Sequence, residues 1–120
     1  MKGISNTSRT LEYIRQMGWE ADKVEQFNPY AGKFGKRKDL FGIIDIIALG
    51  DRPWAIGIQS CGQAYAEHEK SILGNPMALK WIEKGNTLML IGWRKILKQR
   101  GGKLRIWAPR IKEFKQEDFK

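Results

Sequence analysis

The sequence predicts a mixed α/β domain in which helices flank a central sheet. Two short apolar runs rich in β-branched residues, Ile43 to Leu49 and Trp54 to Ile58, have the length and composition of buried strands. The turn residues Gly50 to Pro53 form a connection short enough to make these runs an antiparallel hairpin. Segments with helical spacing lie before and after the hairpin, and 120 residues suit a single domain with its own core.

The elements before the hairpin follow from local signals. Apolar residues recur at helical spacing from Thr7 to Met17, and Gly18 favours the end of a helix there. Residues 19–27 are predicted as the first strand, although their apolar residues do not alternate strictly. Residues 28–38, which contain glycine, proline and several basic side chains, are predicted as a loop.

Gly, Asn and Pro residues mark the boundaries of the elements after the hairpin. They are predicted as a helix from Gln63 to Leu73, a helix from Met77 to Lys84, a buried strand from Thr87 to Trp93, a basic loop or short helix from Arg94 to Lys103, a half-exposed strand from Leu104 to Trp107 that Pro109 ends, and a loosely docked short helix from Lys112 to Lys120.

Two polar residues interrupt the apolar hairpin. Asp45 stands inside the first run, and Gln59 closes the second. Both are seven residues from Arg52, so a hairpin centred there places them opposite each other on one face. A charged Asp inside an Ile-rich strand costs several kcal/mol unless it is paired or binds a metal. Asp45 is therefore a candidate metal ligand, and the alternative is a structural Asp that holds a loop or an arginine.

The overall charge points to a polyanionic partner. Lys and Arg number 22 against 13 Asp and Glu, which gives a net charge of +9. Nucleic acid is the simplest partner for such an excess, and the alternative is a basic protein kept soluble by its charge. The single Cys and single His argue against an intramolecular disulfide and a structural zinc site. With no apparent signal peptide and no apolar run of membrane-spanning length, we expect a cytoplasmic location without membrane insertion.

The residues of Asp39 to Asp45 and of Gly57 to Cys61 resemble motifs of a nuclease superfamily. The likeness is to the PD-(D/E)XK nucleases, and within them to a phage-associated branch that resembles Holliday-junction resolvases; it covers roughly Thr7 to Arg110. It implies a restriction-endonuclease-like α-β-β-β-α-β core in one nuclease-like domain, with residues 111–120 as a short tail. It also implies a metal-dependent endonuclease that acts on branched DNA in the cytosol of a phage host or another prokaryote. A homodimer is the assembly that such an enzyme would use. One departure matters, because Gln59, Ser60 and Cys61 stand where the superfamily has its E-x-K motif.

The resemblance also implies a catalytic site that binds Mg²⁺ or Mn²⁺. Asp45 would be the main ligand, Gln59 would offer a neutral carbonyl oxygen, and Ser60 its backbone carbonyl. Glu25 or Glu12 would have to restore the missing negative charge, while Lys70 or Lys38 could reach in to replace the missing lysine. With fewer acids than the superfamily pattern, we expect the metal to be weakly bound. Asp39 is left open between a second acid and a cap that holds the preceding loop.

Two basic segments are the candidate DNA contacts. Phosphate neutralisation by basic side chains and base stacking by aromatic ones are the usual elements of such surfaces. The basic candidates are Lys33, Lys36, Arg37 and Lys38 in the predicted loop, and Arg94 and Lys95 after the last buried strand. The aromatic residues Tyr30 and Phe34 have two interpretations: they belong to the contact, or they pack the loop against the core. Two functions compete: an active endonuclease, and a DNA-binding or assembly module that kept the fold without turnover.

Overall fold

A central sheet of five strands organises the molecule, and a small two-stranded sheet lies apart from it. The computed structural model describes residues 5–24, 26–33 and 35–120, with the side chains of residues 36 and 37 left out. The central sheet contains β1 (Glu20–Lys23), β4 (Ile46–Leu49), β5 (Ile56–Cys61), β6 (Thr87–Leu97) and β7 (Arg105–Glu113), in that spatial order. The small sheet pairs β2 (Gln26–Asn28) with β3 (Lys36–Lys38).

The sheet is mixed. Strands β1, β4 and β5 pair antiparallel, β6 joins β5 in parallel, and β7 returns antiparallel along β6. The parallel step from β5 to β6 needs a long crossover. Two helices supply it, α2 (Tyr65–Leu73) and α3 (Pro76–Glu83). With α1 (Asn6–Gln16) ahead of β1, these elements confirm the predicted α/β class with a mixed sheet flanked by helices.

The first helix forms for the reasons that its sequence indicates. The Ser5 hydroxyl accepts a hydrogen bond from the Ser8 N–H at 3.1 Å, which caps the N-terminus. Thr10, Leu11 and Ile14 are its buried residues and lie on one stripe of the helix. Gly18 then adopts a φ of 87°, a left-handed conformation that glycine takes without steric cost.

The core lies on both faces of the sheet. Helix α1 covers one face, here called the α1 face, where Leu11 and Ile14 pack against Ile46, Ile58 and neighbouring buried residues. Helices α2 and α3 cover the opposite α2/α3 face, where the buried residues are Ile43, Ile44, Cys61, Tyr65, Ile72, Ala78, Leu88, Leu90 and Phe114. Burial on both faces explains why the central strands read as continuous apolar runs.

The turn of the β4–β5 hairpin is tied to the far side of the sheet. The Arg52 guanidinium donates to Thr87 Oγ1 and to Glu113 Oε1, each at 2.8 Å. The Trp54 indole N–H donates to the same Thr87 hydroxyl at 2.8 Å. The hydrogen bond with Glu113 is the main reason why the pKa of Arg52 is raised. This contact links the turn to β6 and β7, so the hairpin is fixed against the sheet.

The predicted first strand and the loop after it are divided differently in the structure. Residues 19–27 were predicted as one strand, but β1 ends at Lys23 and β2 belongs to the small sheet. The Val24 N–H donates to the Asp45 carbonyl at 3.1 Å, beyond the paired residues of β1. The predicted loop of residues 28–38 is wrong in part, because β3 at its end pairs with β2 to make a hairpin.

The basic segment after Trp93 is also corrected. Arg94–Lys103 was predicted as a loop or short helix, but β6 continues to Leu97 and pairs with β7 to Arg105. The Lys98 N–H donates to the Leu104 carbonyl at 2.9 Å and closes the turn. This projecting β6–β7 hairpin, residues 94–108, is called the arm. Residues 94–97 of the arm are exposed and show no alternation of apolar and polar side chains, so the sequence did not indicate that β6 continues through them.

The C-terminal segment is more firmly attached than predicted. Pro109 does not end a strand, because β7 runs through it to Glu113. β7 is the last strand in the spatial order of the sheet, and edge strands accommodate proline. Phe114 is only 2% exposed and packs into the α2/α3 face. A short 3-10 helix, Gln116–Phe119, follows, so the tail docks against the core through aromatic residues. Within the described residues, no helix is long and apolar enough to span a membrane.

Candidate metal and nucleic-acid site

Asp45 and Gln59 come together at one end of the β4–β5 hairpin. The recorded pairing of the hairpin ends with Ile46 opposite Ile58, so Asp45 lies just beyond the paired residues of β4, and Gln59 follows Ile58 in β5. The Asp45 N–H donates to the Ile58 carbonyl at 3.0 Å. Alternation along β5 puts Gln59 on the α2/α3 face with Cys61, and the Asp45 carboxylate acts electrostatically on Cys61. The hydrogen bond to Ile58 shows that regular pairing stops before Asp45, so its predicted position directly opposite Gln59 stays a prediction.

The Asp45 carboxylate is buried and bonded to the backbone. Asp45 is 4% exposed. Its two carboxylate oxygens accept from the Ser60 N–H at 3.1 and 3.3 Å. A carboxylate in this position fixes the end of β5 at the residue whose carbonyl was predicted as a ligand. Asp45 therefore has a structural hydrogen bond in addition to its candidate role.

Gln59 has an open acceptor. It is 6% exposed, and its Nε2 donates to Asp39 Oδ2 at 3.4 Å. Its Oε1 is buried and has no hydrogen-bond partner among the residues that the structure describes. A buried acceptor left unpaired costs about 1–3 kcal/mol, so such groups call for an explanation. Asp39, which was left open between acid and cap, thus stands beside the amide of Gln59.

Three of the predicted ligands are neighbours, and a fourth lies outside the described residues. The Asp45 carboxylate binds the N–H of Ser60, and Gln59 is adjacent to Ser60 in β5. Glu25 falls outside the described residues. Across residues 5–24, 26–33 and 35–120, no three His, Cys, Asp or Glu side chains are grouped as a metal site would need. The described donor set is therefore two carboxylates, one amide oxygen and backbone carbonyls.

Glu12 and Lys70 are placed away from Asp45. Glu12 is two residues from the buried Thr10, which turns it about 200° around the helix. It is exposed and lines a surface cavity with other α1 residues. Lys70 is exposed on α2, whose buried positions are Tyr65 and Ile72. No described contact joins either residue to Asp45, so their predicted catalytic roles gain no support from the structure.

Cys61 stands where the resemblance implies a lysine, and its side chain does not supply that positive charge. The pKa of its thiol is raised to about 11, mainly by burial and in part by the Asp45 carboxylate. Arg110 acts on this pKa in the opposite direction. The thiol is therefore neutral near pH 7. Sequence reasoning missed Arg110, because its place in the row with Cys61 depends on the register of β5, β6 and β7. It is a cation that acts on the same side chain as Asp45.

A second polar cluster lies on the α1 face, next to the candidate site. The Thr10 hydroxyl accepts from Ser60 Oγ at 2.7 Å and from the Trp93 indole N–H at 2.8 Å. It donates to the Asn6 carbonyl at 3.0 Å. Sequence reasoning missed this cluster, because the bonds span 50 and 83 residues and no local pattern marks them.

The predicted DNA contacts lie on two separate surfaces. Lys33 and Lys38 are exposed, while the side chains of Lys36 and Arg37 lie outside the described part of the structure. Arg94 and Lys95 are exposed on opposite faces of the arm. Eight of the 22 basic residues and none of the 13 acidic residues fall between Arg94 and Lys112, so most of the net charge belongs to β6, β7 and their turn.

Aromatic side chains accompany this charge. The Arg9 guanidinium carbon lies 4.0 Å from the centre of the exposed Trp107 ring, and Lys95 Nζ lies 5.2 Å from it.

Comparison with protein-family models, curated proteins and solved structures found no match. Function must therefore be inferred from the residues and their geometry.

Proposed function

We propose that this protein is a DNA-binding endonuclease that depends on Mg²⁺ or Mn²⁺ and hydrolyses phosphodiester bonds in branched or otherwise structured DNA. The observation that carries the proposal is the unpaired, buried Gln59 Oε1 in a cluster with Asp39 and Asp45. Asp39 accepts from the Gln59 amide, and Asp45 accepts from the N–H of the next residue, Ser60, so both carboxylates are held near the amide that carries the unsatisfied oxygen. Hard divalent cations prefer such oxygen ligands.

The donor set fits a weakly held cation. Asp45 would be the main charged ligand, Gln59 would supply its free Oε1, and Ser60 its backbone carbonyl. Asp39 would supply the second charge near the amide. When bound, the cation would stabilise negative charge on a phosphate and activate water for attack. Two described carboxylates provide less charge than three, so weak binding is expected.

The charge distribution supports a nucleic-acid partner. The basic arm and the exposed Lys33 and Lys38 provide cations on two surfaces. Removing one phosphate contact reduces the slope of binding affinity against salt concentration by about one. Changing Lys33, Lys36, Arg37 and Lys38 together to Ala should weaken binding at fixed salt and flatten that slope. The control changes four exposed lysines from other parts of the chain, Lys23, Lys80, Lys84 and Lys120, to Ala. Equal affinity for the first variant and wild type would remove this segment from the contact.

A second candidate function is a DNA-binding or assembly module without turnover. The observation in its favour is Cys61, a buried neutral thiol where the resemblance expects a lysine. Such a protein would retain salt-dependent DNA binding and would show no metal-dependent cleavage.

A cleavage assay separates the two functions. Linear duplex, flapped and four-way-junction DNA are incubated with Mg²⁺, with Mn²⁺ and with EDTA. Metal-dependent cleavage that favours the branched substrates supports the endonuclease. Tight binding without cleavage in either metal supports the module. If four-way junctions are cut, two symmetric sites are needed, and a twofold homodimer is expected by sedimentation analysis.

A further inference from the structure

One row of residues crosses three strands on the α2/α3 face. Cys61 of β5 lies opposite Gly92 of β6, and Gly92 lies opposite Arg110 of β7. Gly92 has no side chain, so nothing projects between its two neighbours in the row. The Arg110 guanidinium carbon lies 4.1 Å from the centre of the Tyr65 ring, which stacks the cation on the first turn of α2.

The glycine in this row keeps a cavity open. An added Cβ at Gly92 would lie 2.5 Å from Tyr65 Cδ2 and 3.4 Å from Cys61 Sγ, so a larger residue would push into the ring. The cavity has a volume of about 140 Å³. That is several times the roughly 30 Å³ that a water molecule occupies in the liquid, which leaves room for a tetrahedral anion. It is lined by Gly62, Gln63, Tyr65, Gly92, Trp93, Arg94 and Arg110.

Both arginines in the cavity lack an acidic partner among the described residues. Arg52 is neutralised by Glu113 at 2.8 Å and Lys112 by Glu69 at 3.3 Å, whereas neither Arg94 nor Arg110 has such an ion pair. Alternation from Gly92 places Arg94 on the same face as Arg110. The planar guanidinium presents five donors in a fork that matches phosphate oxygens, and stacking on Tyr65 leaves the edge of that fork available.

The cavity adjoins the candidate metal site through β5. Gly62 in its wall follows Cys61 directly, and Asp45 binds the N–H of Ser60, one residue earlier. Cys61 is also in the row that leads through Gly92 to Arg110. An anion held by the arginines would therefore lie next to the carboxylate cluster.

We propose that this cavity, the Arg94/Arg110 pocket, binds a phosphate group and that its ligand is a phosphodiester of the DNA strand bound beside Asp45. The identity of the ligand rests on the proposed function, whereas the affinity for a phosphate anion does not. Arg110 would then be a substrate-binding residue that supplies positive charge near the site where Cys61 supplies none.

The first test uses inorganic phosphate. Backbone amide NMR spectra are recorded while phosphate replaces chloride at constant ionic strength. The signals of Gly62, Gln63 and Gly92 should shift in wild type and stay unchanged in Arg110→Gln. Arg105→Gln is the matched control, because it removes the same charge from the same pair of strands, on the opposite face. No shift at these amides in wild type, or equal shifts in Arg110→Gln, overturns the pocket.

The second test uses DNA. Arg110→Gln should lower the affinity for four-way-junction DNA at fixed salt about ten-fold and reduce the salt slope by about one, whereas Arg105→Gln should have a smaller effect. Arg110→Lys, which keeps the charge and loses the fork, should recover only part of the affinity. Equal losses for Arg110→Gln and Arg105→Gln would show general attraction and overturn the pocket as the DNA contact.

The two arms separate this inference from the proposed function. Phosphate binding without DNA binding would keep the pocket, assign it a free phosphate or a smaller phosphate ester, and contradict the DNA function. DNA binding that is indifferent to Arg110 would keep the function and remove the pocket. Binding of neither probe contradicts both.

Discussion

Gln59 and Ser60 are adjacent residues of β5, and their side chains enter two opposite kinds of polar environment. Ser60 points to the α1 face, where its hydroxyl bonds Thr10, and Thr10 in turn bonds Trp93 and the backbone of Asn6. Gln59 points to the α2/α3 face, where its amide donates to Asp39 and its Oε1 has no described partner. One cluster is complete and neutral, and the other is incomplete and acidic.

The difference separates a structural polar cluster from a candidate site. Buried polar networks that are fully paired add rigidity, whereas an unpaired member costs free energy and persists when something else requires it. The Thr10 cluster links α1 to β5 and β6, so its value lies in packing. The Asp45 cluster leaves an acceptor open beside two carboxylates, which is the arrangement that a cation could complete.

The largest expected effect comes from removing the charge of the acidic cluster. Asp45→Asn keeps the size of the side chain and an acceptor for the Ser60 N–H, but it removes the charge that a hard cation needs. Metal-dependent cleavage should fall at least about a hundred-fold, in line with the loss of a principal charge-stabilising group. DNA binding should stay nearly intact or improve, because repulsion of phosphate is reduced.

The control for this change is Asp22→Asn on β1, an exposed acid whose side chain bonds only its neighbouring N–H in the described contacts. Rates are measured on junction DNA, and affinities by titration without metal. If wild type cleaves and Asp45→Asn cleaves equally well, the site is elsewhere.

The next largest effect should come from the complete cluster. Thr10 is fully buried, and Thr10→Val keeps its shape while leaving Ser60 Oγ and the Trp93 N–H without an acceptor. Stability should fall by about 3 kcal/mol, since each unpaired buried donor costs about 1–3 kcal/mol. Thr7→Val, on the same helix at a half-buried position, should change stability by less than about 0.5 kcal/mol. Urea unfolding of the two variants measures the contrast, and similar values for both would contradict a structural role for the cluster.

The sequence predicted the acidic cluster better than the complete one. Asp45 and Gln59 could be assigned to the same end of the hairpin, because each is a polar exception in an apolar run and a single short turn joins the two runs. Thr10, Ser60 and Trp93 come from three distant elements, and none of them departs from the pattern of its own element. Arg110 was missed for a related reason, since its importance depends on register across β6 and on the glycine at position 92.

The fold shows the same division. Buried strands such as β5 and the first half of β6 were predictable, because burial imposes an apolar run. The second half of β6 is exposed and basic, and its strand conformation comes from pairing with β7 rather than from burial. Glu12 illustrates the limit for sites: the direction of its side chain depends on how α1 is rotated against the sheet, and the burial of Thr10, Leu11 and Ile14 fixes that rotation.

A smaller effect should follow from completing the motif of the acidic cluster. Gln59→Glu adds a carboxylate beside Asp39 and Asp45, and Cys61→Lys adds the cation that the resemblance implies. Mg²⁺-dependent cleavage should rise about ten-fold, a modest gain for groups that are restored to a site not built around them. Calorimetric titration with Mg²⁺ should show tighter binding in the double variant. If wild type is inactive and the double variant gains cleavage, the module function is favoured; if neither the rate nor the metal affinity rises, the cluster is not a metal site.

The smallest effect tests the open acceptor directly. Gln59→Met keeps the length of the side chain and removes both amide atoms, including the unpaired Oε1. Replacing an unsatisfied polar group by an apolar one of similar shape is close to neutral, so stability should stay within about 1 kcal/mol of wild type or rise. Asp39, which is half-buried, can replace the lost hydrogen bond with water. Ser60→Ala, one residue further along the strand, should instead cost about 1 kcal/mol, because it deletes a donor from a complete cluster.

Metal sharpens this last comparison. A ligand that binds only the folded state raises its stability, so Mg²⁺ or Mn²⁺ should stabilise wild type and Ser60→Ala against urea and leave Gln59→Met unaffected. The measurement is the shift in the unfolding midpoint with metal at constant ionic strength. A loss of about 3 kcal/mol in Gln59→Met, matching that expected for Thr10→Val, would mean that the amide has a structural partner. In that case the two faces of β5 would be alike, and the open acceptor would no longer support a cation site.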